Sequence, residues 1–158
     1  DGTISHKDSM GNEGQIHAGE WQWMSAGTGV THSEKNQHDQ AVHLLQIWIQ
    51  PNVQNTEPTY QQIQCDPQHT PNTWQLIAGP NANAAMQIRQ NAEVKTAFLE
   101  KGHSLAVEAT QKFNYVHVIA GKIEIAGQIV NAGDALFFDD SATIQAHSDS
   151  QLIWFDLV

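Results

Sequence analysis

Residues 14–34 read GQIHAGEWQWMSAGTGVTHSE, and the reading of this stretch decides the fold. Ala18-Gly19 marks a tight turn, Trp21-Gln22-Trp23-Met24 has the aromatic content of a strand, and Gly27-Thr28-Gly29 interrupts the chain before Thr31-His32-Ser33-Glu34. His32 and Glu34 stand two positions apart, so on a strand both side chains leave the same face. Inside a β-barrel such a pair is costly to bury without a partner, and a divalent metal is the expected one. Spacing alone leaves two alternatives open: a buried hydrogen-bonded pair, or a solvated strand end.

Outward from this stretch, short runs of alternating, β-branched or aromatic residues recur between turn residues. The pattern predicts strands at residues 2–7, 14–18, 20–24, 30–35, 42–50, 60–64 and 74–78 in the first half. Further strands are expected at 94–100, 104–108, 115–120, 122–126, 135–138, 142–146 and 152–158, with a turn near 81–86. Many short strands without sustained helical period indicate an all-β sandwich or barrel.

The runs repeat. Gly2-Thr3-Ile4 followed by Gly14-Gln15-Ile16-His17-Ala18-Gly19-Glu20 corresponds to Gly121-Lys122-Ile123 followed by Gly127-Gln128-Ile129-Val130-Asn131-Ala132-Gly133-Asp134. Farther along, His43-Leu44-Leu45-Gln46-Ile47-Trp48 corresponds to Gln151-Leu152-Ile153-Trp154-Phe155-Asp156. Three matches in order indicate a duplicated β-domain. The second copy is preceded by strands from residue 94 onward, whereas only Asp1 precedes Gly2. The expectation is therefore that the sequence lacks the start of its first domain. Residues 1–60 are assigned to a first domain, 61–80 to linker and connecting strands, and 81–158 to a second domain.

Composition narrows the function. The 158 residues carry a formal net charge of −10, which excludes a nucleic-acid surface and an anionic membrane as partners. No apolar run approaches a membrane span. The single Cys65 forms no internal disulfide, which suits a reducing cytoplasm.

His6-Lys7-Asp8-Ser9-Met10-Gly11-Asn12, Gln22-Trp23-Met24-Ser25-Ala26-Gly27, Gly29-Val30-Thr31-His32-Ser33-Glu34 and Leu44-Leu45-Gln46-Ile47-Trp48-Ile49 together resemble the pirin family of bicupins. Pro58-Thr59-Tyr60 extends the likeness, and Gly133-Asp134 and Phe155-Asp156-Leu157 carry it more loosely into the second half. The resemblance implies two tandem cupin jelly-roll domains, the first incomplete at its N-terminus. It also implies one divalent metal, usually iron, in the N-terminal cupin. His32 and Glu34 match the family's His-x-Glu ligand pair. Its His-x-His pair belongs upstream of the glycine matching Gly2, so two further histidines are expected ahead of Asp1. His6 matches a non-ligand position. His147 echoes His32 but precedes the last strand in a turn, and the second cupin is expected to be metal-free. Gln22, Met24 and Gln46 are candidate pocket residues, while Trp21, Trp23 and Trp48 are expected in the core.

The activity implied by the resemblance is cleavage of a flavonol such as quercetin with O₂, with Glu34 taking the substrate's hydroxyl proton. A second reading is a non-enzymatic, iron-dependent redox sensor acting through a protein partner. A third follows if the polypeptide begins at Asp1: a metal-free, inactive chain held by association with another.

Overall fold

The computed structural model describes residues Asp1–Val158. The chain divides into two units, residues 1–66 with 88–90 and residues 67–87 with 91–158. The division between Asp66 and Pro67 falls inside the 61–80 stretch read as connection, and Ile88–Gln90 group with the first unit. There is no α-helix; one 3-10 turn spans Pro67–His69.

The second unit follows the hydrophobic alternation closely. It contains β6 (Gln75–Gly79), β7 (Met86–Gln87), β8 (Glu93–Leu99), β9 (Ser104–Val107) and β10 (Phe113–Ala120). It continues with β11 (Lys122–Ile125), β12 (Gln128–Asn131), β13 (Ala135–Phe138), β14 (Ala142–Ala146) and β15 (Ser150–Leu157). A six-stranded sheet of order β13-β10-β15-β8-β6-β7 and a four-stranded sheet of order β12-β11-β14-β9 make a sandwich. Inward positions of both sheets form one core: Leu99, Val116, Val118, Leu152 and Trp154 from the larger, Val107, Ile123, Ile125 and Ile144 from the smaller. The Trp154 indole N–H donates to Asn114 Oδ1 at 2.9 Å, so the largest core side chain keeps a polar partner.

The first unit is built differently. β1 (Thr3–Asp8), β2 (Glu13–His17) and β4 (His32–Lys35) form an antiparallel sheet of order β2-β1-β4. A separate antiparallel pair joins β3 (Glu20–Ser25) to β5 (Thr59–Gln64). Neither sheet closes on itself. Within residues 1–66 the only two buried residues are His6 and Asp8.

The internal repeat is visible as structure. The β1–β2 and β11–β12 hairpins correspond, and Gly2 and Gly121 start them at φ of 79° and 90°. A Cβ on Gly2 would lie 2.7 Å from the Ala41 carbonyl oxygen, and one on Gly121 would overlap the Asp149 carbonyl and the Ser150 hydroxyl. Both positions therefore need glycine for the same two reasons.

Two expectations fail here. The third repeat match pairs β15 with residues 43–48, which form no strand; residues 36–58 carry neither strand nor helix. In that segment the backbone bonds to other parts of the chain are isolated: His43 with Asp1, the Asn52 N–H to the Arg89 carbonyl, and the Thr56 carbonyl from the Thr28 N–H. An alternating sequence becomes a strand only when a neighbour supplies the ladder, and none lies alongside. Trp48, expected in the core, is accordingly 88% exposed, with Leu44, Leu45 and Ile47 exposed beside it. β12 was not anticipated: its run QIVN is short, and the Ala126-Gly127 turn that creates it reads as the end of one longer strand.

Candidate functional site

β1 carries His6-Lys7-Asp8 and β4 carries His32-Ser33-Glu34, so each strand sends a histidine and a carboxylate to one face. The strands are antiparallel with His6 opposite Glu34 and Asp8 opposite His32. Each histidine is thereby set across from the other strand's carboxylate. The arrangement is a checkerboard of two imidazoles and two carboxylates on one patch of sheet.

The four are not equivalent. His6 is 2% exposed and Asp8 7%. His32 and Glu34 are exposed, not enclosed as a barrel interior would require. β4 is the edge strand of its sheet, and an edge leaves its side chains open on one flank. The His6 ring is sandwiched: it stacks on Tyr60 with centroids 5.0 Å apart and faces His32 at 5.9 Å. His6 Nε2 lies 3.3 Å from Asp8 Oδ2, and His6 Nδ1 lies 3.2 Å from Gln22 Nε2 and 3.6 Å from Glu34 Oε1.

Asp8 is held by the turn that follows it. Its Oδ1 accepts the Met10 and Asn12 backbone N–H groups at 2.9 Å each, and its Oδ2 accepts the Asn12 side-chain amide at 2.8 Å. Burial pushes this carboxyl up, but the Asn12 side chain and backbone, His6 and the Met10 N–H together hold it down at about 2. The Tyr60 phenol is pushed up by burial and by the Asp8, Glu20 and Glu34 carboxylates, and donates to Gln62 Oε1 at 2.8 Å.

Of the candidate pocket residues, Gln22 is half-buried and joined to His6, and Met24 is half-buried opposite Tyr60 in the β3–β5 register. Gln46 lies exposed in the irregular segment. A shallow cavity of about 320 Å³ borders Tyr60 and is lined also by Asn12, Gly14 and Gln62. His147 is exposed and pairs with Glu124 at 3.3 Å. The Cys65 thiol is half-buried, and burial and the Asp66 carboxylate push its pKa up.

His32 and Glu34 offer one imidazole and one carboxylate, a donor pair that suits a borderline divalent cation in kind. No group of three or more His, Cys, Asp or Glu side chains is arranged to hold a metal ion. His6 does not qualify, because both of its ring nitrogens are already engaged. The pair therefore fits a cation as two of its ligands. Sequence reading missed Asp8 and Tyr60 as members of the cluster. The signal for Asp8 was present in the His6-x-Asp8 spacing, which repeats that of His32-x-Glu34.

The family profile Pirin matches residues 1–49, and the one described as Quercetinase C-terminal cupin domain matches residues 76–157. Quercetin 2,3-dioxygenase of Escherichia coli (strain K12) is 36% identical over 162 residues, covering 99% of this chain and 69% of that protein. The chain belongs to the pirin family. A pirin-like protein of Caulobacter vibrioides is 31% identical over 161 residues, with the same coverage of 99% and 69%. Among solved pirins, YhhW from Escherichia coli in complex with nickel(II) matches with a TM-score of 0.90 at 34% identity, over 99% of this chain and 68% of that one. The chain spans roughly two thirds of the length of these relatives. No helix is long and apolar enough to cross a membrane.

Proposed function

We propose that this pirin is a metal-dependent dioxygenase that cleaves a flavonol of the quercetin type with O₂. The observation that carries the reading is the β1–β4 register, which sets His32 and Glu34 on one face against a buried, fully hydrogen-bonded His6–Asp8 pair. The likeness to a protein named quercetin 2,3-dioxygenase at 36% identity supports the substrate class. His32 Nε2 or Nδ1 and a Glu34 oxygen would hold the cation, with the family's His-x-His pair, which has no counterpart among these residues, as the remaining ligands. Iron is the expected metal; the nickel complex of YhhW supports the divalent class rather than the element. A cation held there would supply Lewis-acid activation of the flavonol oxygen.

The remaining work falls to side chains. Glu34 is exposed to an incoming ligand, and its carboxylate can take the flavonol hydroxyl proton at hydrogen-bond range. Gln22 and Tyr60 flank the same patch and orient the substrate. The test is oxygen uptake and quercetin loss with full-length, metal-loaded protein. Glu34→Gln should lower kcat by roughly 10²–10⁴-fold, the usual contribution of a positioned base. Full turnover by a Glu34→Gln protein that retains its metal would sink the assignment. Iron-loaded wild type that consumes no O₂ with quercetin would redirect the reading to an iron-dependent interaction with a protein partner.

A further inference from the structure

We infer that the β2-β1-β4 sheet carries a phosphate site on the face opposite its histidine–carboxylate checkerboard. Lys7 and Lys35 supply the charge and Ser33 a hydroxyl donor. The ligand is a phosphate group, free or as the monoester of a small polar molecule. The site uses other side chains than the candidate metal patch and is independent of the reading of His32 and Glu34 as ligands.

Strand alternation makes this second face. With His6, Asp8, His32 and Glu34 on one side of β1 and β4, Ser5, Lys7, Ser33 and Lys35 leave on the other. The register sets Ser5 opposite Lys35 and Lys7 opposite Ser33. The result is a checkerboard of two ammoniums and two hydroxyls. Diagonal neighbours across an antiparallel pair stand about 7–8 Å apart, a span that long side chains bridge, so both lysines reach one anion between them. The four residues border a hollow of about 300 Å³, a size at the lower end of small-ligand sites.

Charge singles out the place. Lys7 and Lys35 are the only Lys or Arg in residues 1–66, and both lie on this patch. The whole chain has a net charge of −10, which repels anions, so an anion is held only where cations converge. Ser33 and Lys35 are exposed and have no side-chain partner. Lys7 Nζ meets Glu13 Oε2 at 2.8 Å, an exposed pair that solvent and salt weaken. An ammonium has three donors, so Lys7 keeps two for a ligand. The Ser5 hydroxyl donates to Gln37 Oε1 at 3.1 Å, which leaves the Gln37 NH₂ as a further donor at the rim. No arginine lines the hollow, and the planar fork of arginine is what grips a flat carboxylate. Two point charges with hydroxyl and amide donors suit a compact dianion with three oxygens instead.

The test is a ¹H–¹⁵N NMR titration of full-length protein, kept metal-free so that no cation on the opposite face recruits the anion. The probes are sodium phosphate and glucose 6-phosphate at about pH 7.5, where both are largely dianions. Sodium chloride at equal ionic strength is the control. Both probes should give saturable shifts confined to β1, β4 and the Gln37 amide. Tighter binding of glucose 6-phosphate would assign the hollow to a phosphomonoester, and equal binding would assign it to phosphate itself. Lys35→Gln should weaken either by about 10-fold, as loss of a charge-assisted donor does, and Lys35→Arg should restore most of it. Glu13→Gln should tighten binding several-fold, because it removes the one carboxylate in the hollow. Lys101→Gln, the same charge change at an exposed position of the second unit, should alter nothing.

An absence of saturable shifts with both probes, or shifts that chloride reproduces, would overturn the inference. So would equal weakening by Lys35→Gln and Lys101→Gln, which would mean that net charge alone is felt. The substitutions are at exposed positions, and the wild-type titration decides the site without them.

Discussion

Asp8 is the residue on which burial and hydrogen bonding pull hardest in opposite directions, and hydrogen bonding wins. Its carboxyl stands at about 2 against an ordinary 3.8. A folded-state value below the unfolded one means that the folded state binds this proton less readily. The contribution to stability is then complete above about pH 4 and is lost as pH falls toward 2. Acid unfolding of the first unit, followed by fluorescence of its half-buried Trp21 and Trp23, should show that loss across this window. Asp8→Asn should flatten the response there, whatever it does to stability at neutral pH. A profile unchanged by the substitution would mean that other carboxylates carry the acid sensitivity.

At the scale of elements, turns decide more than strand propensity does. β11 and β12 are joined by Ala126-Gly127, with φ of 49° and 73°. Two positive φ values are what a tight two-residue hairpin turn with the strands' own twist demands, and asparagine or glycine suits its first position better than alanine. Left-handed backbone costs an alanine about 1–2 kcal/mol. Ala126→Gly should therefore stabilise the second unit by up to about 1 kcal/mol after the added chain entropy of glycine is subtracted. Urea denaturation checks it, and a destabilised variant would show that the methyl group has a packing role. In the first unit the corresponding tie is a side chain from far along the sequence. Arg89 Nη1 donates to Ser25 Oγ at 3.0 Å, to Thr56 Oγ1 and to the Glu57 carbonyl at 3.1 Å, fastening the end of β3 to the irregular segment.

At the scale of the molecule, the two units rest on different physics. The second buries a continuous cluster of aliphatic side chains with Trp154 at its centre. In the first, residues 1–66 bury fully only a histidine and an aspartate. Burial of apolar surface is the dominant favourable term in folding, so the second unit should hold its amides far more tightly. Hydrogen exchange followed by mass spectrometry should find the slowest amides in β8, β10 and β15, and fast exchange in β1–β5. Added Ni(II) should slow exchange in β1 and β4 selectively, because a ligand that binds only the folded form stabilises it. Uniform protection along the whole chain would contradict this account.

Sequence alone determined the all-β class, most strand positions and the duplication, because alternation, turn residues and repeat spacing are local signals. The pirin resemblance was equally legible, since its motifs are runs of adjacent residues. Local pattern also placed His32 and Glu34 on one face. It failed at residues 42–50, where an alternating run has no neighbouring strand, and a ladder partner is never a property of the run itself. Only the tertiary structure decided which histidine is buried. The β1–β4 register sets His6 across from Glu34, and an edge position leaves His32 and Glu34 open. Residues 14–34 thus carry half of a checkerboard whose other half, His6 and Asp8, joins it only through strand pairing across the chain.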